Sequence, residues 1–153
     1  MARLATRVAV SSILKSDPSN VWLGISDLNG VNYEMSPWLH MTSPDGVRLE
    51  DAANGEVLPL KLKGRGGFPL GTYRLGLETI VEGQGFLEQT RMLPFLLWQH
   101  ERRIEAVGDG DTRIIDSLGW KWRATFLDRM FAAGVRKFFN HRHRKLKAWY
   151  GSA

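Results

Sequence analysis

The alternation of hydrophobic and polar positions begins close to the N-terminus. Residues 4–14 alternate, and one side of the segment carries Leu4, Thr6, Val8, Val10 and Ser12. Side chains of a strand point to opposite faces in turn, so this pattern predicts a first β-strand. Arg7 interrupts the apolar run, which favours a strand over an export signal.

A helical pattern follows the first strand. Asp17 can cap a helix, and Pro18 fits its first position, where a missing N–H group is harmless. Apolar residues then recur at helical spacing as far as Leu28. Asn29-Gly30 is expected to end this helix, because glycine readily adopts the left-handed conformation found after helix C-termini. A second short helix or turn is expected over residues 31–36.

The middle of the chain changes to strands separated by glycine-rich turns. The predicted turns include Asn54-Gly55, Gly64–Gly67 and Gly108-Asp109-Gly110. Such short connections favour antiparallel pairing. The predicted strands cover residues 38–42, 56–63, 72–82, 86–92, 95–106 and 111–123.

The last two strands show which side chains point inward. One face of the first carries Trp98, His100, Arg102 and Ile104, and the other carries Gln99, Glu101, Arg103 and Glu105. The second set is entirely polar and is expected to face water, which points His100 and Arg102 toward the interior. The corresponding inward face of the last strand carries Thr112, Ile114, Asp116, Leu118, Trp120 and Trp122.

Residues 125–149 contain no proline and one glycine, and they predict one long amphipathic helix. Its apolar positions are Leu127, Met130, Phe131, Gly134, Val135, Phe138 and Leu146. A single helix after six strands is expected to bury this stripe on the sheet. The predicted fold class is therefore α+β, as a single domain over residues 1–153.

Composition and charge narrow the functional classes. The chain has no cysteine, which excludes disulfides, thiolate metal sites and a cysteine nucleophile, and which fits a cytoplasmic location. No stretch reaches the ~18 apolar residues that span a bilayer. The net charge is +5, and the part of the chain after Asp128 contains seven cations and no acidic residue.

Four short motifs, in this order, resemble the SRPBCC superfamily, also called START-like or helix-grip proteins. They are Asp17-Pro18 with Val21-Trp22, Pro94-Phe95 with Trp98 and His100, Thr112-Arg113 with Asp116, and the segment Phe139–Arg144. The resemblance is closest to bacterial ligand-binding members related to polyketide cyclases and dehydrases. It implies a curved antiparallel sheet of about seven strands around the last helix, with a hydrophobic cavity between them.

His100 and Arg102 form the sharpest candidate constellation. An inward histidine can act as a general acid or base, and Asp116 on the adjacent strand can pair with it. Arg102 can bind a carboxylate or an enolate oxygen, and it stands where members near this group often carry histidine or an aromatic residue. The competing interpretation is a satisfied polar network in which Arg102 pairs with Asp116 or Glu88.

Aromatic and flexible side chains complete the candidate ligand site. Tyr33 and Glu34 are expected in a loop near the cavity mouth, either contacting a ligand or exposed to solvent. Met130 is a candidate because its thioether adapts to varied ligands. The full set of candidate ligand-binding residues is Tyr33, Trp38, Tyr73, Trp98, His100, Arg102, Asp116, Trp120, Met130 and Phe131.

Three functions remain open from the sequence. The first is binding of a small hydrophobic or amphipathic molecule. The second is a cyclase- or dehydratase-like enzyme using His100 and Asp116. The third is an interaction module built on the basic segment 141–147, which is otherwise expected to be a solvated helix end. The two histidines of that segment do not share a helix face. No cofactor, metal, specific nucleic acid or transmembrane segment is expected, and the chain is expected to be a monomer or homodimer.

Overall fold

A computed structural model describes residues 3–44, 46, 52–93 and 96–152. Within these residues the fold contains seven strands and three helices, α1 (Pro18–Ile25), α2 (Leu28–Met35) and α3 (Asp128–Tyr150). Short 3-10 turns cover Arg65–Gly67 and Thr125–Leu127. The strands are β1 (Val8–Leu14), β2 (Leu39–Thr42), β3 (Glu56–Gly64), β4 (Pro69–Val81), β5 (Gly85–Leu93), β6 (Leu96–Val107) and β7 (Asp111–Trp122). Pro94 and Phe95 of the second motif lie outside the described residues.

The seven strands form one antiparallel sheet in the order β1-β7-β6-β5-β4-β3-β2. The sequence-based prediction of a seven-stranded antiparallel sheet with a long C-terminal helix is confirmed. In the register of β6 and β7, Arg102 lies opposite Asp116 and His100 lies opposite Leu118. This pairing brings the candidate polar residues together on the inward face of the sheet.

The N-terminal segment departs from the prediction in two ways. The strand begins at Val8 rather than at Leu4. The residues before it cover the outer face of β6, where the backbone N–H of Leu4 donates to Gln99 Oε1 at 2.9 Å. Gln89 Nε2 donates to the same oxygen at 2.9 Å, and Gln99 is buried. The prediction that Gln99 faces water is therefore wrong, because this segment lies over it.

The first two helices divide at a different point from the one predicted. Asp17 caps α1 by accepting from the N–H of Asn20, as expected. However, α1 ends at Ile25 and Asp27 caps α2, so Asn29-Gly30 lies inside α2 and does not end a helix. Gly30 serves close packing instead: a Cβ atom there would lie 1.9 Å from the carbonyl oxygen of Gly24.

Helix α3 lies against the inward face of the sheet, as predicted, but the predicted stripe is partly wrong. Met130 is 68% exposed and Gly134 is also exposed. The buried positions of α3 are Val135, Phe139, Arg142, His143 and Leu146. Arg142 and His143 are buried because carboxylates of α2 and β7 lie opposite them. Among the described residues, no helix has the length and apolar character needed to cross a bilayer.

Candidate ligand-binding cavity

A cavity of about 530 Å³ lies between α3, the first two helices and the sheet. Most of its wall is apolar, and α1 and α2 contribute Trp22, Ile25, Val31 and Met35. The sheet and α3 add Leu75, Leu77, Phe86, Trp98, Phe131, Val135, Phe138 and Phe139. The exposed lining residues Met92, Met130 and Gly134 mark the side on which the cavity meets solvent.

Arg102 anchors the polar part of the wall. Its Nε and one terminal nitrogen donate to the two carboxylate oxygens of Asp116, each at 2.8 Å. The guanidinium also forms two bonds to Glu34, at 2.7 and 2.9 Å. Arg102 and Asp116 are fully buried. Burial alone would raise the pKa of Asp116, but the charges of Arg102 and His100 and their hydrogen bonds hold it well below its usual value.

Glu34 joins helix α2 to both the sheet and α3. Besides its two bonds with Arg102, it accepts from Arg142 Nε at 3.2 Å. Burial acts to raise the pKa of Glu34, but the charges of Arg102 and Arg142 outweigh it, so the pKa lies below its usual value. The prediction of a loop at Tyr33 and Glu34 is wrong, since both lie on α2 and Glu34 is only 1% exposed.

Two histidines lie on either side of Asp116. His100 Nε2 is 2.6 Å from one carboxylate oxygen, and His143 Nε2 is 2.7 Å from the other. An ionised carboxylate only accepts hydrogen bonds, so each of these ring nitrogens carries the proton. His143 Nδ1 is 2.8 Å from Ser12 Oγ, while His100 Nδ1 faces the Glu88 carboxylate at 3.7 Å.

Glu88 and Tyr73 continue the polar wall across β5 and β4. The Tyr73 hydroxyl donates to Glu88 Oε2, and Thr90 Oγ1 donates to the same oxygen at 2.8 Å. Burial and the neighbouring Glu88 carboxylate raise the pKa of Tyr73 well above its usual value. The phenol therefore keeps its proton and acts as a donor to Glu88.

The cavity brings together six of the candidate ligand-binding residues: Tyr73, Trp98, His100, Arg102, Met130 and Phe131 line it. Trp120 stacks behind Trp98, with ring centroids 6.3 Å apart, and does not line the wall. Asp116 lies behind Arg102 and His100 and also does not line it. In the enzyme hypothesis Asp116 would therefore orient His100 rather than contact a substrate.

The other two candidates lie elsewhere. Trp38 is 47% exposed and packs under the guanidinium of Arg65, 5.3 Å from the ring centroid. Tyr33 packs against Trp149, with Lys145 Nζ 4.3 Å from its ring centroid. Neither residue lines the cavity.

Two residues of the polar wall and its network, Arg142 and His143, were not identified from the sequence as site residues. Glu34 was expected to contact either a ligand or solvent from a loop, and Glu88 was considered only as a partner of Arg102. The sequence contains a weak signal for one polar residue on each of two helices. The spacing of Phe139, His143 and Leu146 places His143 on the apolar face of α3. The spacing of Val31, Glu34 and Met35 likewise places the acidic Glu34 on the apolar face of α2. The prediction of a solvated basic helix end is wrong for Arg142 and His143, which both reach the buried network.

Metal binding finds no support in the part of the chain that the structure describes. No group of three or more histidine, aspartate or glutamate side chains there has a geometry suited to a metal ion. The carboxylates of the cavity wall are instead bound by guanidinium, imidazole and hydroxyl groups.

The fold is shared with solved structures of low sequence identity. An aromatase/cyclase from Streptomyces sp. R1128 superposes with a TM-score of 0.71 at 12% identity, covering 95% of this chain and 94% of that one. A START superfamily protein from Mycobacterium smegmatis gives 0.69 at 12% identity, covering 95% and 97%. A protein of Chromobacterium violaceum gives 0.67 at 11% identity, covering 97% and 100%. The resemblance to START-like, helix-grip proteins is thus confirmed for the fold.

Sequence comparison gives a family without an assigned activity. No curated protein sequence matches the chain. A family model described as a domain of unknown function, DUF8410, matches residues 12–150. With its helix-grip sheet, its long C-terminal helix and this match over most of its length, the chain belongs to the DUF8410 family.

Proposed function

We propose that this protein binds one small, mainly apolar molecule in the cavity between the sheet and α3. The observation that carries the proposal is the cavity itself: about 530 Å³, with a wall of aliphatic and aromatic side chains and a few convergent polar groups. Ligand sites in proteins have this size, roughly 300–1,000 Å³, and this composition. The aromatase/cyclase and START superfamily neighbours support the proposal through their shared fold.

Gly134 gives a means of testing the proposal. It lies on α3, lines the cavity, and a Cβ atom there would meet nothing within 4 Å. Gly134→Phe is therefore expected to fill space at the cavity, because the Cβ atom from which its ring extends meets no neighbour. Gly134→Ala is the matched control, because it makes the same backbone change and leaves the cavity nearly unaltered.

Native mass spectrometry of the freshly purified protein tests whether a ligand is bound. We expect one small molecule per chain with wild type and Gly134→Ala, released on denaturation, and less of it with Gly134→Phe. A molecule retained equally by Gly134→Phe would place binding outside this cavity. Identification of the released molecule gives its chemical class.

The second candidate function is acid–base catalysis on a bound substrate. The observation in its favour is that His100 lines the cavity while Asp116, behind it, fixes the orientation of its ring. His100→Ala separates the two functions. A binding protein should keep its affinity within a few fold, whereas an enzyme should lose ~10²-fold or more in rate.

The third candidate, an interaction through the basic end of α3, depends on fewer surface cations than the sequence indicates, because Arg142 is buried. Arg144 and Lys147 remain exposed. Binding of an acidic partner through them would weaken steeply as salt rises.

We also propose that the ligand-binding protein is cytoplasmic and is a monomer or a homodimer. Analytical ultracentrifugation measures the oligomeric state.

A further inference from the structure

Arg142 reaches from α3 into the cavity wall with most of its donors unused. The residue is only 7% exposed and lines the cavity, and its guanidinium lies over the Phe139 ring, 5.0 Å from the centroid. Its Nε donates to Glu34 Oε1 at 3.2 Å. Among the described residues no acceptor bonds its two terminal nitrogens, and neither of them is sealed from accessible space. Four of its five N–H donors are therefore available to a ligand.

Arg102 also lines the cavity, but it is closed to a ligand. Its three guanidinium nitrogens all donate to Asp116 or Glu34. A ligand that bound there would have to break one of these bonds in a fully buried site, which leaves a buried charge without its partner. Of these two guanidinium groups, Arg142 is the one that a ligand can reach.

The charged groups joined to Arg142 are balanced. Arg102 and Arg142 carry two positive charges, Asp116 and Glu34 carry two negative ones, and ion pairs of 2.7–3.2 Å connect them. The two histidines that contact Asp116 add either no charge or a positive charge. This group is therefore not net negative in any protonation state of its histidines, and it does not repel an anion beside Arg142.

Glu88 limits the ligand to a single negative charge. It lines the cavity, and its Oε2 accepts from Tyr73 and Thr90. Burial and Glu88 raise the pKa of Tyr73, while the charge of Arg142 acts against that rise, so the guanidinium lies near this part of the wall. A dianion such as a phosphate monoester would bring a second negative charge toward Glu88, beyond what Arg142 balances.

A carboxylate matches the open edge of the Arg142 guanidinium. Its two oxygens can accept from the two terminal nitrogens in parallel bonds, and such charge-assisted pairs are roughly twice as strong as neutral hydrogen bonds. An ester carbonyl accepts without a charge, and an ammonium group is repelled. A carboxylate thus gives the buried cation the partner that the described side chains do not give its terminal nitrogens.

The position of Arg142 along α3 sets the direction of a bound ligand. Arg142 lies eight residues beyond Gly134, which is about 12 Å along the helix axis. Gly134 and Met130 mark the side on which the cavity meets solvent. A head group at Arg142 therefore lies at the inner end, and the rest of the molecule extends along the apolar wall toward Gly134.

We propose that the ligand is an amphipathic monocarboxylic acid whose carboxylate binds the two terminal nitrogens of Arg142, with its apolar part directed toward Gly134. This inference rests on the proposed function, since it names the ligand class of the same cavity. Arg142 then determines the preferred head group, while the apolar wall accommodates the tail.

Four probes with the same ten-carbon chain test the preference: decanoate, methyl decanoate, 1-decanol and decylamine. Dissociation constants are measured by calorimetry at pH 8, where decanoate is ionised. 1-Decanol has the same chain without a charge and reports on the apolar wall alone. We expect decanoate to bind at least ~10-fold more tightly than 1-decanol or methyl decanoate, and decylamine to bind most weakly. Decanoate binding no more tightly than 1-decanol would overturn the inference.

Arg142→Gln removes the charge, and Arg144→Gln is the matched control on the exposed side of the same helix. The preference for decanoate over 1-decanol should fall toward unity in Arg142→Gln, with 1-decanol affinity kept within a few fold, and should stay unchanged in Arg144→Gln. An unchanged preference in Arg142→Gln would contradict the assignment.

Arg142→Lys keeps the inference testable if Arg142→Gln does not fold. Lysine retains the positive charge but cannot form two parallel bonds to a carboxylate, so it should keep the preference for decanoate at a level reduced a few fold. A preference equal to that of wild type would overturn the assignment. Equal binding of all four probes to wild type would remove the inference and leave the cavity as a binding site, whereas no binding of any probe would count against the proposed function as well.

Discussion

Arg102 and Asp116 lie directly opposite each other on β6 and β7, and two hydrogen bonds of 2.8 Å join the guanidinium to the two carboxylate oxygens. The same guanidinium donates to both carboxylate oxygens of Glu34 on α2. One side chain thus fixes the distance between the sheet and α2, which together form part of the cavity wall.

Removal of Arg102 should strongly destabilise the fold. In Arg102→Met, Asp116 and Glu34 lose their main partner while buried, and we expect the free energy of unfolding to fall by about 3–5 kcal/mol. Urea denaturation measures the change. Arg103→Met, one residue along on the exposed face of β6, should change it by less than about 0.5 kcal/mol. A loss below about 1 kcal/mol in Arg102→Met would show that the network contributes little.

The lowered pKa values of Asp116 and Glu34 predict loss of stability in acid. The unfolded chain regains ordinary values, about 3.9 for Asp and 4.3 for Glu, so below these pH values it binds more protons than the folded chain. The stabilisation is complete above the unfolded pKa and is lost as pH falls through the lower folded pKa. Urea denaturation between pH 7 and pH 3 should show this decline, and Asp116→Asn should make it shallower. A free energy of unfolding that does not change below pH 5 would contradict the ionised state assigned to Asp116 and Glu34.

The alternation of residues along the strands accounts for about half of the buried polar network around Arg102 and Asp116. His100, Arg102 and Asp116 were placed on inward faces because side chains of a strand alternate with period two, and the register of neighbouring strands then joined them. Glu34 and His143 come from helices more than 100 residues apart in the chain. The local pattern of a helix defines its apolar face but not which sheet residue that face contacts.

The role of Gly30 shows a second limit of local pattern. Asn-Gly is a common helix terminator, yet here the glycine is inside α2 because its hydrogen lies against the backbone of α1. The need for this close approach depends on how two helices pack, which the residues around Gly30 do not encode.

Two glycine-to-alanine changes in helices should therefore have opposite signs. Gly134→Ala should raise the free energy of unfolding by about 0.5–1 kcal/mol, because alanine favours the helix and its Cβ meets open space. Gly30→Ala gains the same helix propensity but places Cβ 1.9 Å from the Gly24 carbonyl oxygen, so we expect a net loss of about 1–3 kcal/mol. Thermal and urea denaturation compare the two variants. Stabilisation by both changes would rule out the close packing of α1 and α2.

Asn32 should be the main polar link between α2 and β2. Its amide donates to the carbonyl of Met41 and accepts from the N–H of the same residue, both at 2.7 Å and buried. Asn32→Ala should cost about 1–3 kcal/mol, because both backbone groups lose their partner. Asn32→Asp keeps the acceptor but sets a carboxylate oxygen against the Met41 carbonyl oxygen, so it should also destabilise the fold. A free energy of unfolding of Asn32→Ala within about 0.5 kcal/mol of the wild-type value would contradict this role.

Binding in the cavity is the central claim, and a calorimetric titration with 1-decanol of wild type, Gly134→Ala and Gly134→Phe tests it most directly. We predict one site per chain in wild type, the same affinity within a few fold in Gly134→Ala, and at least ~10-fold weaker binding in Gly134→Phe. Equal binding by all three proteins, or no binding by wild type, would contradict the account.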